Sequence, residues 1–483
     1  MPSRPGADAA SDGALALPGA VSLGARMSVP RVRVRLGRIS GVGALGSLVA
    51  AVFALALFTA SGPSLMVARS LRVFPAWEAG PLHGLFGAVP PRFGVLIAAV
   101  SLLIVGMTAA YGVVLASVRS ISLRSLALVV LLLHVILLLA PPMLSSDLFN
   151  YLGYARLGGL HGLNPYQHVI AQELHDPVYT FTTWRHLHSP YGPLFTAGTY
   201  VLGRLPLPVA YWALKAVTVA ASLGLLALVW WCARRLGRDP RLAIAFVALN
   251  PIYLVYAVGG FHNDFFMLLP ALGAIALLLS GRERAAGAML MLGVAVKLNA
   301  IVLLPFMLVA VRPAVRRWRV VIGAAVAAVL LVGLSLALFG PTLPNLQDQT
   351  SLVTGFSIPN LFGLLIGAGG ATHLVLRLFA VLFAATVAWL LLRQGDWLSR
   401  AGWAMLAVVA TVGWLMPWYV IWAAPLAALA RSPRLRRATL AFTVFLVITA
   451  VPDTSHILHQ HGISPLDGSA GRASRALEQT LAQ

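Results

Sequence analysis

Carboxylates, lysine and cysteine are all scarce in this chain. Its 483 residues include 14 acids, two lysines and one cysteine, and only 10% are charged. A soluble domain carries about a quarter charged residues, so this composition excludes a soluble enzyme, a disordered protein and a nucleic-acid-binding module. The lone Cys232 excludes an intrachain disulfide. No HExxH or compact ligand spacing occurs among the histidines, so no metal site is expected. What fills the chain instead is apolar: 59% of residues come from the set AVILMFWYC, and the mean hydropathy is +0.86. The formal charge of +21 rests on 33 arginines. They fall in short runs between apolar stretches, which is a record of membrane orientation and not a groove for phosphates.

The pattern predicts an all-α polytopic membrane protein. Residues 1–40 hold six arginines, from Arg4 to Arg38, and no apolar run. They read as a disordered basic cytoplasmic leader and not as a signal peptide. A membrane domain over 41–452 follows, with apolar stretches near 42–60, 92–118, 125–142, 207–232, 241–257, 263–280, 320–339, 372–393 and 438–452. Two further stretches break simple alternation. Between Arg284 and Arg312, and between Arg400 and Arg431, arginines flank both ends of an apolar segment too long for one crossing and interrupted by Lys297 or Pro417. Each is expected to be a re-entrant or broken helix pair, tolerated at membrane depth only where it lines a cavity. The count is then about 11 spans. Most arginines face inward, and the long loop 143–206 and the tail 453–483 face outward, with 11 of the 12 histidines, all but His134, on the outer side. The work is expected on that outer face of the cell membrane, the periplasmic one.

Among the outer acids, Asp147 and Asp264 abut the ends of apolar segments within polar motifs. Asp147 lies in Ser145-Ser146-Asp147-Leu148-Phe149-Asn150-Tyr151-Leu152-Gly153-Tyr154-Ala155-Arg156. Ser146 is placed to cap a short helix that Gly158-Gly159 would stop. On that helix Asp147, Tyr151 and Tyr154 share one face, while Leu148, Leu152 and Ala155 share another. An acid in the first turn is also favoured by the helix dipole alone. Downstream, His161 through Asn164-Pro165-Tyr166, and Trp184 through His188-Ser189-Pro190-Tyr191-Gly192-Pro193, supply flat rings and polar edges suited to a sugar; an interfacial aromatic belt would use the same residues. Gly259-Gly260-Phe261-His262-Asn263-Asp264 offers a polar cluster at a turn whose glycines allow close backbone approach. Lys297 and Arg377 are cations at membrane depth, for which a lipid phosphate is an apt partner, although Arg377 could equally snorkel to headgroups.

In order along the chain, Ser145-Ser146-Asp147 with Tyr151 through Asn164-Pro165-Tyr166, then Ser189-Pro190-Tyr191-Gly192-Pro193, Gly259 through Asp264, Ala295-Val296-Lys297 and Pro417-Trp418-Tyr419-Val420 form a pattern. It resembles the GT-C membrane glycosyltransferases, and among them the actinobacterial polyprenol-phosphate-mannose-dependent alpha-(1→6)-mannopyranosyltransferases that build lipomannan and lipoarabinomannan cores. Two departures stand out. Ser146 takes a place that is often basic in the family, and Asn164-Pro165-Tyr166 stands where Asp-Pro-Tyr is common.

The resemblance implies a GT-C-like fold and transfer of a sugar, mannose in the family, from a polyprenyl phosphate to a glycolipid or glycan acceptor. Asp147 would be the catalytic base. Tyr151, Tyr154, Asn164, Tyr166, His188, Tyr191, His262, Asn263, Asp264, Trp418 and Tyr419 are the candidate substrate-binding residues, with Lys297 and Arg377 candidates for the donor phosphate. A polyprenyl phosphate is already a good leaving group, so direct displacement with inversion would require no cofactor and no obligatory metal. Two alternatives remain at this stage: a lipid or solute transporter, disfavoured by the absence of an internal repeat, and an arabinofuranosyl or other pentosyltransferase of the same fold.

Overall fold

The computed structural model describes residues 38–62, 66, 73–85 and 93–482. Nearly all of the expected basic leader lies outside these residues. Within them the chain is helical, with no strand. Long apolar runs leave no other option in lipid, where each backbone polar group must be satisfied inside its own segment.

The first elements are α1 (Arg38–Ala60), the single turn α2 (Ala76–Ala79), α3 (Phe93–Ser117) and α4 (Leu123–Leu139). Ser122 caps α4 by accepting the Ser125 N–H, and Pro141-Pro142 follow its end. The loop 143–206 contains α5 (Asp147–Gly159) and α6 (Pro193–Gly203). Next come α7 (Leu207–Arg235), α8 (Pro240–Ala248), α9 (Asp264–Leu279), α10 (Glu283–Val294), α11 (Leu303–Ala310) and α12 (Arg317–Phe339). The last third holds α13 (Gln347–Ser351), α14 (Ile358–Leu365), α15 (His373–Leu392), α16 (Trp397–Thr411), α17 (Ala424–Leu429), α18 (Pro433–Ala450), α19 (Pro452–Gln460) and α20 (Ser469–Ala482).

Among the described residues, five helices are long and apolar enough to cross a membrane, or seven if each of two bent pairs is one span. The bends are 53° between α8 and the π-helical turn Ile252–Val258, and 57° between α18 and α19. The expected count of about 11 would need the four shorter apolar segments, Leu123–Leu139, Asp264–Leu279, Leu298–Ala310 and Pro417–Leu429, to cross as well. Length alone does not establish that, because breaks at Lys297 and Pro417 leave only half-length pieces.

Both expected helix breaks are present. Between α10 and α11, Lys297 is extended (φ −147°, ψ 126°) and opens a 3₁₀ turn over Leu298–Val302. After α16 the chain unwinds from Val412 to Met416, and Pro417 begins a second 3₁₀ turn to Trp422. His134, set apart by the sequence, sits inside the bundle. Its Nε2 lies 2.9 Å from Ser222 Oγ, which is 2.6 Å from Tyr253 Oη, a buried link between helices. The tail does not trail away: the His186 N–H donates to Leu481 O (3.0 Å) and the Val353 N–H to Ser474 Oγ (2.7 Å), seating α20 on loops beside the candidate site.

Candidate active site

Asp147 begins α5, as the motif implied, although the capping differs. Ser146 turns its hydroxyl to Thr183 (2.8 Å), and Ser145 Oγ accepts the Asp147 N–H instead (3.2 Å). Thr183 wins Ser146 because Asn150, one turn along, already holds that strand of loop. Asn150 Oδ1 accepts the Thr183 and Trp184 N–H groups (3.0 and 3.2 Å), and its amide donates to Thr183 Oγ1 (3.1 Å). Leu148, Leu152 and Ala155 are buried on the helix's packed face.

The rest of the loop 143–206 is fastened by charge. Arg156 Nε donates to both oxygens of Asp176 (2.7 and 2.8 Å), and His161 Nε2 lies 2.7 Å from Asp176 Oδ2. Burial pushes the Asp176 carboxyl upward, yet the His161 contact, the Val178 N–H and Arg156 together hold it below its ordinary value.

A polar cavity of about 60 Å³ opens beside α5. Asp147, Tyr151, Tyr154, Tyr191, Lys297, Trp418 and Tyr419 line it together, although Asp147 and Tyr419 lie 272 residues apart in sequence. It shares Tyr191, Lys297, Gln349, Trp414 and Tyr419 with an adjoining cleft of about 700 Å³, whose further walls include Leu298, Leu343, Leu346, Leu376, Val408 and Val412. Lys297 therefore stands where a polar cavity meets an apolar one.

Main-chain contacts explain how distant motifs meet. The Gly192 N–H donates to Val296 O (3.0 Å) and the Leu194 N–H to Ala295 O (3.1 Å), docking the Ser189–Pro193 motif onto the residues just before Lys297. A Cβ at Gly192 would lie 2.2 Å from Ala295 O, so only glycine permits this approach. The Met143 N–H donates to Gly259 O (2.8 Å), and the Asn263 N–H donates to Tyr151 Oη (3.3 Å), joining the approach to α5 with the Gly259–Asp264 turn. In that turn Phe261 is left-handed (φ 52°), which folds His262 back over Gly260. The second lysine, Lys215, is fully buried and donates to Ala140 O (2.7 Å) with its ammonium 3.9 Å from the Trp212 ring; it anchors the end of α4 from which the Asp147 segment departs.

The turn places three polar side chains behind the cavity. Asp264 is fully buried; its Oδ1 accepts from Lys297 Nζ (2.7 Å) and Trp422 Nε1 (2.6 Å). His262 stacks on Trp418 (ring centroids 3.5 Å apart), and its Nδ1 is 3.3 Å from Asp147 Oδ2, close but too oblique for a hydrogen bond. The Asn263 amide is buried without a hydrogen-bond partner among the described residues. Asp147 itself keeps 21% of its side-chain surface and Lys297 20%, so both reach the cavity while their partners do not.

Other candidates fall elsewhere. Asn164 donates to Phe339 O (2.8 Å) and Thr342 Oγ1 (3.0 Å), and Tyr166 to Tyr191 O (2.8 Å), so both brace the loop 143–206 behind the cavity wall. His188 is half-buried and outside the lining, and Arg377 is exposed on the first turns of α15. Sequence reasoning read Asn150 and Trp184 within their motifs without naming them as binding candidates, and missed Trp414 and Trp422. Trp422 was within reach, since it falls three residues after Tyr419 in the same 3₁₀ turn.

Residues 40–313 match the family model described as "Alpha-(1→6)-mannopyranosyltransferase, N-terminal domain", and residues 353–466 match "MptB C-terminal domain". Alpha-(1→6)-mannopyranosyltransferase A of Mycobacterium tuberculosis is 27% identical over 375 residues, which span 66% of this chain and 68% of that protein. A protein named "Probable alpha-(1→6)-mannopyranosyltransferase" of Mycolicibacterium smegmatis is 28% identical over 392 residues, 68% of this chain and 69% of its own. The Corynebacterium glutamicum alpha-(1→6)-mannopyranosyltransferase A is 28% identical over 188 residues, 35% of each chain. No solved structure matches. The fold and these likenesses define a multi-pass membrane glycosyltransferase. Within that class, the chain belongs to the alpha-(1→6)-mannopyranosyltransferase family.

Proposed function

We propose that this enzyme transfers mannose from a polyprenyl-phosphate donor to a hydroxyl of a glycolipid or glycan acceptor at the outer membrane face, forming an alpha-(1→6) linkage with inversion. One observation carries the reading: Asp147 and Lys297 line the same polar cavity, and Lys297 also lines the apolar cleft that opens from it. A donor with a charged phosphate between a sugar and an isoprenoid chain has the same three-part character. The phosphate fits at Lys297, the sugar toward Asp147 and the aromatic residues, and the isoprenoid along Leu298, Leu343 and Val408.

In this mechanism Asp147 accepts the proton of the acceptor hydroxyl as its oxygen bonds to the anomeric carbon. The bond from that carbon to the phosphate oxygen breaks on the opposite face, and the electron pair leaves with the polyprenyl phosphate. Lys297 has three N–H donors and spends one on Asp264, which leaves donors to meet the developing phosphate charge. A beta-linked donor would give an alpha product. His262, stacked on Trp418 with its Nδ1 3.3 Å from Asp147 Oδ2, bounds the space in which the carboxylate can turn.

The test is product analysis. Purified enzyme incubated with labelled polyprenyl-phosphate mannose and a mannosyl glycolipid acceptor should give an alpha-(1→6)-extended product, with none from a nucleotide-linked mannose alone. Transfer from the nucleotide sugar, or a pentose as the preferred donor sugar, would overturn the reading.

A further inference from the structure

A second cleft, of about 1000 Å³, runs between α15, α16 and α18. Its walls are apolar, from Trp389, Leu390, Trp403, Leu406, Phe442 and Phe445. One end is strongly basic: Arg393, Arg400, Arg431 and Arg434 line it against a single carboxylate, Asp396. That acid is already engaged, since its Oδ2 accepts from Ser399 N (3.2 Å), Ser399 Oγ (2.6 Å) and the Arg431 N–H (2.9 Å). None of the four guanidinium groups is in an ion pair among the described residues.

Arg400 adds an independent sign of an unfilled role. It is only 9% exposed. Its Nη1 donates to the carbonyls of Leu390, Leu391 and Arg393 (3.3, 3.4 and 2.6 Å), closing the end of α15, while its Nε is buried with no hydrogen-bond partner among the described residues. A buried guanidinium with no counter-charge is costly unless an anion completes it. Arg431 and Arg434 are exposed around the same opening, and Arg393 Cζ sits over the Trp389 ring, 4.5 Å from its centroid.

We propose that this cleft binds an anionic phospholipid, with its phosphate among Arg393, Arg431 and Arg434 above Arg400 and its acyl chains along the apolar walls. The charge is complementary to a phosphodiester, and the apolar walls continue behind it along helices that lie in the membrane region. An acidic protein segment would match the arginines but leave those walls empty. The basic end lies at the start of α16, whereas the candidate active site lies past its other end, at Trp414 and beyond. The lipid would thus clamp α15, α16 and α18 at the end remote from the chemistry.

The experiment titrates delipidated full-length enzyme in neutral detergent with phosphatidylglycerol, phosphatidylcholine, inorganic phosphate or poly-glutamate, and follows the melting temperature and lipid adducts by native mass spectrometry. The comparison protein is Arg431→Gln/Arg434→Gln, whose two exposed side chains touch neither the catalytic cavity nor a structural ion pair; its basal turnover in phosphatidylcholine should equal that of the wild type. Phosphatidylglycerol should raise the wild-type melting temperature and form a retained adduct. The double variant should bind it at least about tenfold more weakly. Equal stabilisation by phosphatidylcholine, by phosphate or by poly-glutamate would overturn the proposal, and so would phosphatidylglycerol binding that survives the double substitution unchanged.

Discussion

His262 Nδ1 stands 3.3 Å from Asp147 Oδ2, with the imidazole clamped 3.5 Å from the Trp418 ring. The histidine is 1% exposed and the aspartate 21%, so one is a fixture of the wall and the other reaches into the cavity. If His262 orients the carboxylate, His262→Phe keeps the stacking and removes the nitrogen. Turnover should then fall by about tenfold, the worth of one polar contact to a charged group, with the donor KM little changed. Unchanged turnover in steady-state assays would assign His262 to packing alone.

Asp264 and Lys297 form a pair with unequal exits. The aspartate is fully buried and the lysine 20% exposed. Lys297→Met strands a buried carboxylate, so it should cost stability on the order of 3 kcal/mol. Asp264→Asn should cost less, because the freed ammonium can turn into the cavity. The double variant should recover much of the stability yet use donor poorly. Thermal melting and donor KM measured on all three variants separate the two roles, and purely additive losses of stability would show that the pair is not coupled.

Gly192→Ala introduces a Cβ 2.2 Å from Ala295 O. The docked segments must part, at roughly 1–3 kcal/mol by the usual cost of overpacking, and Tyr191 and Lys297 should lose their common wall. Both melting temperature and turnover should drop. A wild-type melting curve would mean that this backbone contact is looser than its hydrogen bonds indicate.

Asp176 gives a pH dependence whose sign is fixed. Its folded-state carboxyl is held below the ordinary value by His161, the Val178 N–H and Arg156, against burial. The stabilisation is therefore fully present above the unfolded carboxylate value of about 3.9 and is lost as pH falls through the lower folded value. Asp176→Asn should lower the melting temperature at neutral pH, and the gap from wild type should close in strong acid. A constant gap across that window would remove the ionic explanation.

Much of this was legible in the sequence because membrane depth makes polarity conspicuous. Lys297 interrupting an apolar run and Pro417 interrupting another announced the two helix breaks, and Asp147, Tyr151 and Tyr154 announced one helix face by spacing alone. Asn164 and Tyr166 were less transparent: a residue type suited to sugars is equally suited to bracing a loop, and only the carbonyls of Phe339 and Tyr191 reveal that use. Trp422 escaped because its partner, Asp264, lies 158 residues away. The buried Lys215 escaped for a similar reason, as its acceptor, Ala140 O, is a main-chain atom that no side-chain pattern marks.

The central claim is that Asp147 is the base, and Asp147→Asn tests it most directly. The substitution keeps the side-chain size and removes basicity. Donor binding, measured with a non-transferable polyprenyl-phosphate analogue, should stay near wild type, while single-turnover transfer to the acceptor falls by at least ~10²-fold. Near-normal transfer by Asp147→Asn, together with its loss in Asp264→Asn, would contradict the account and move the base to Asp264.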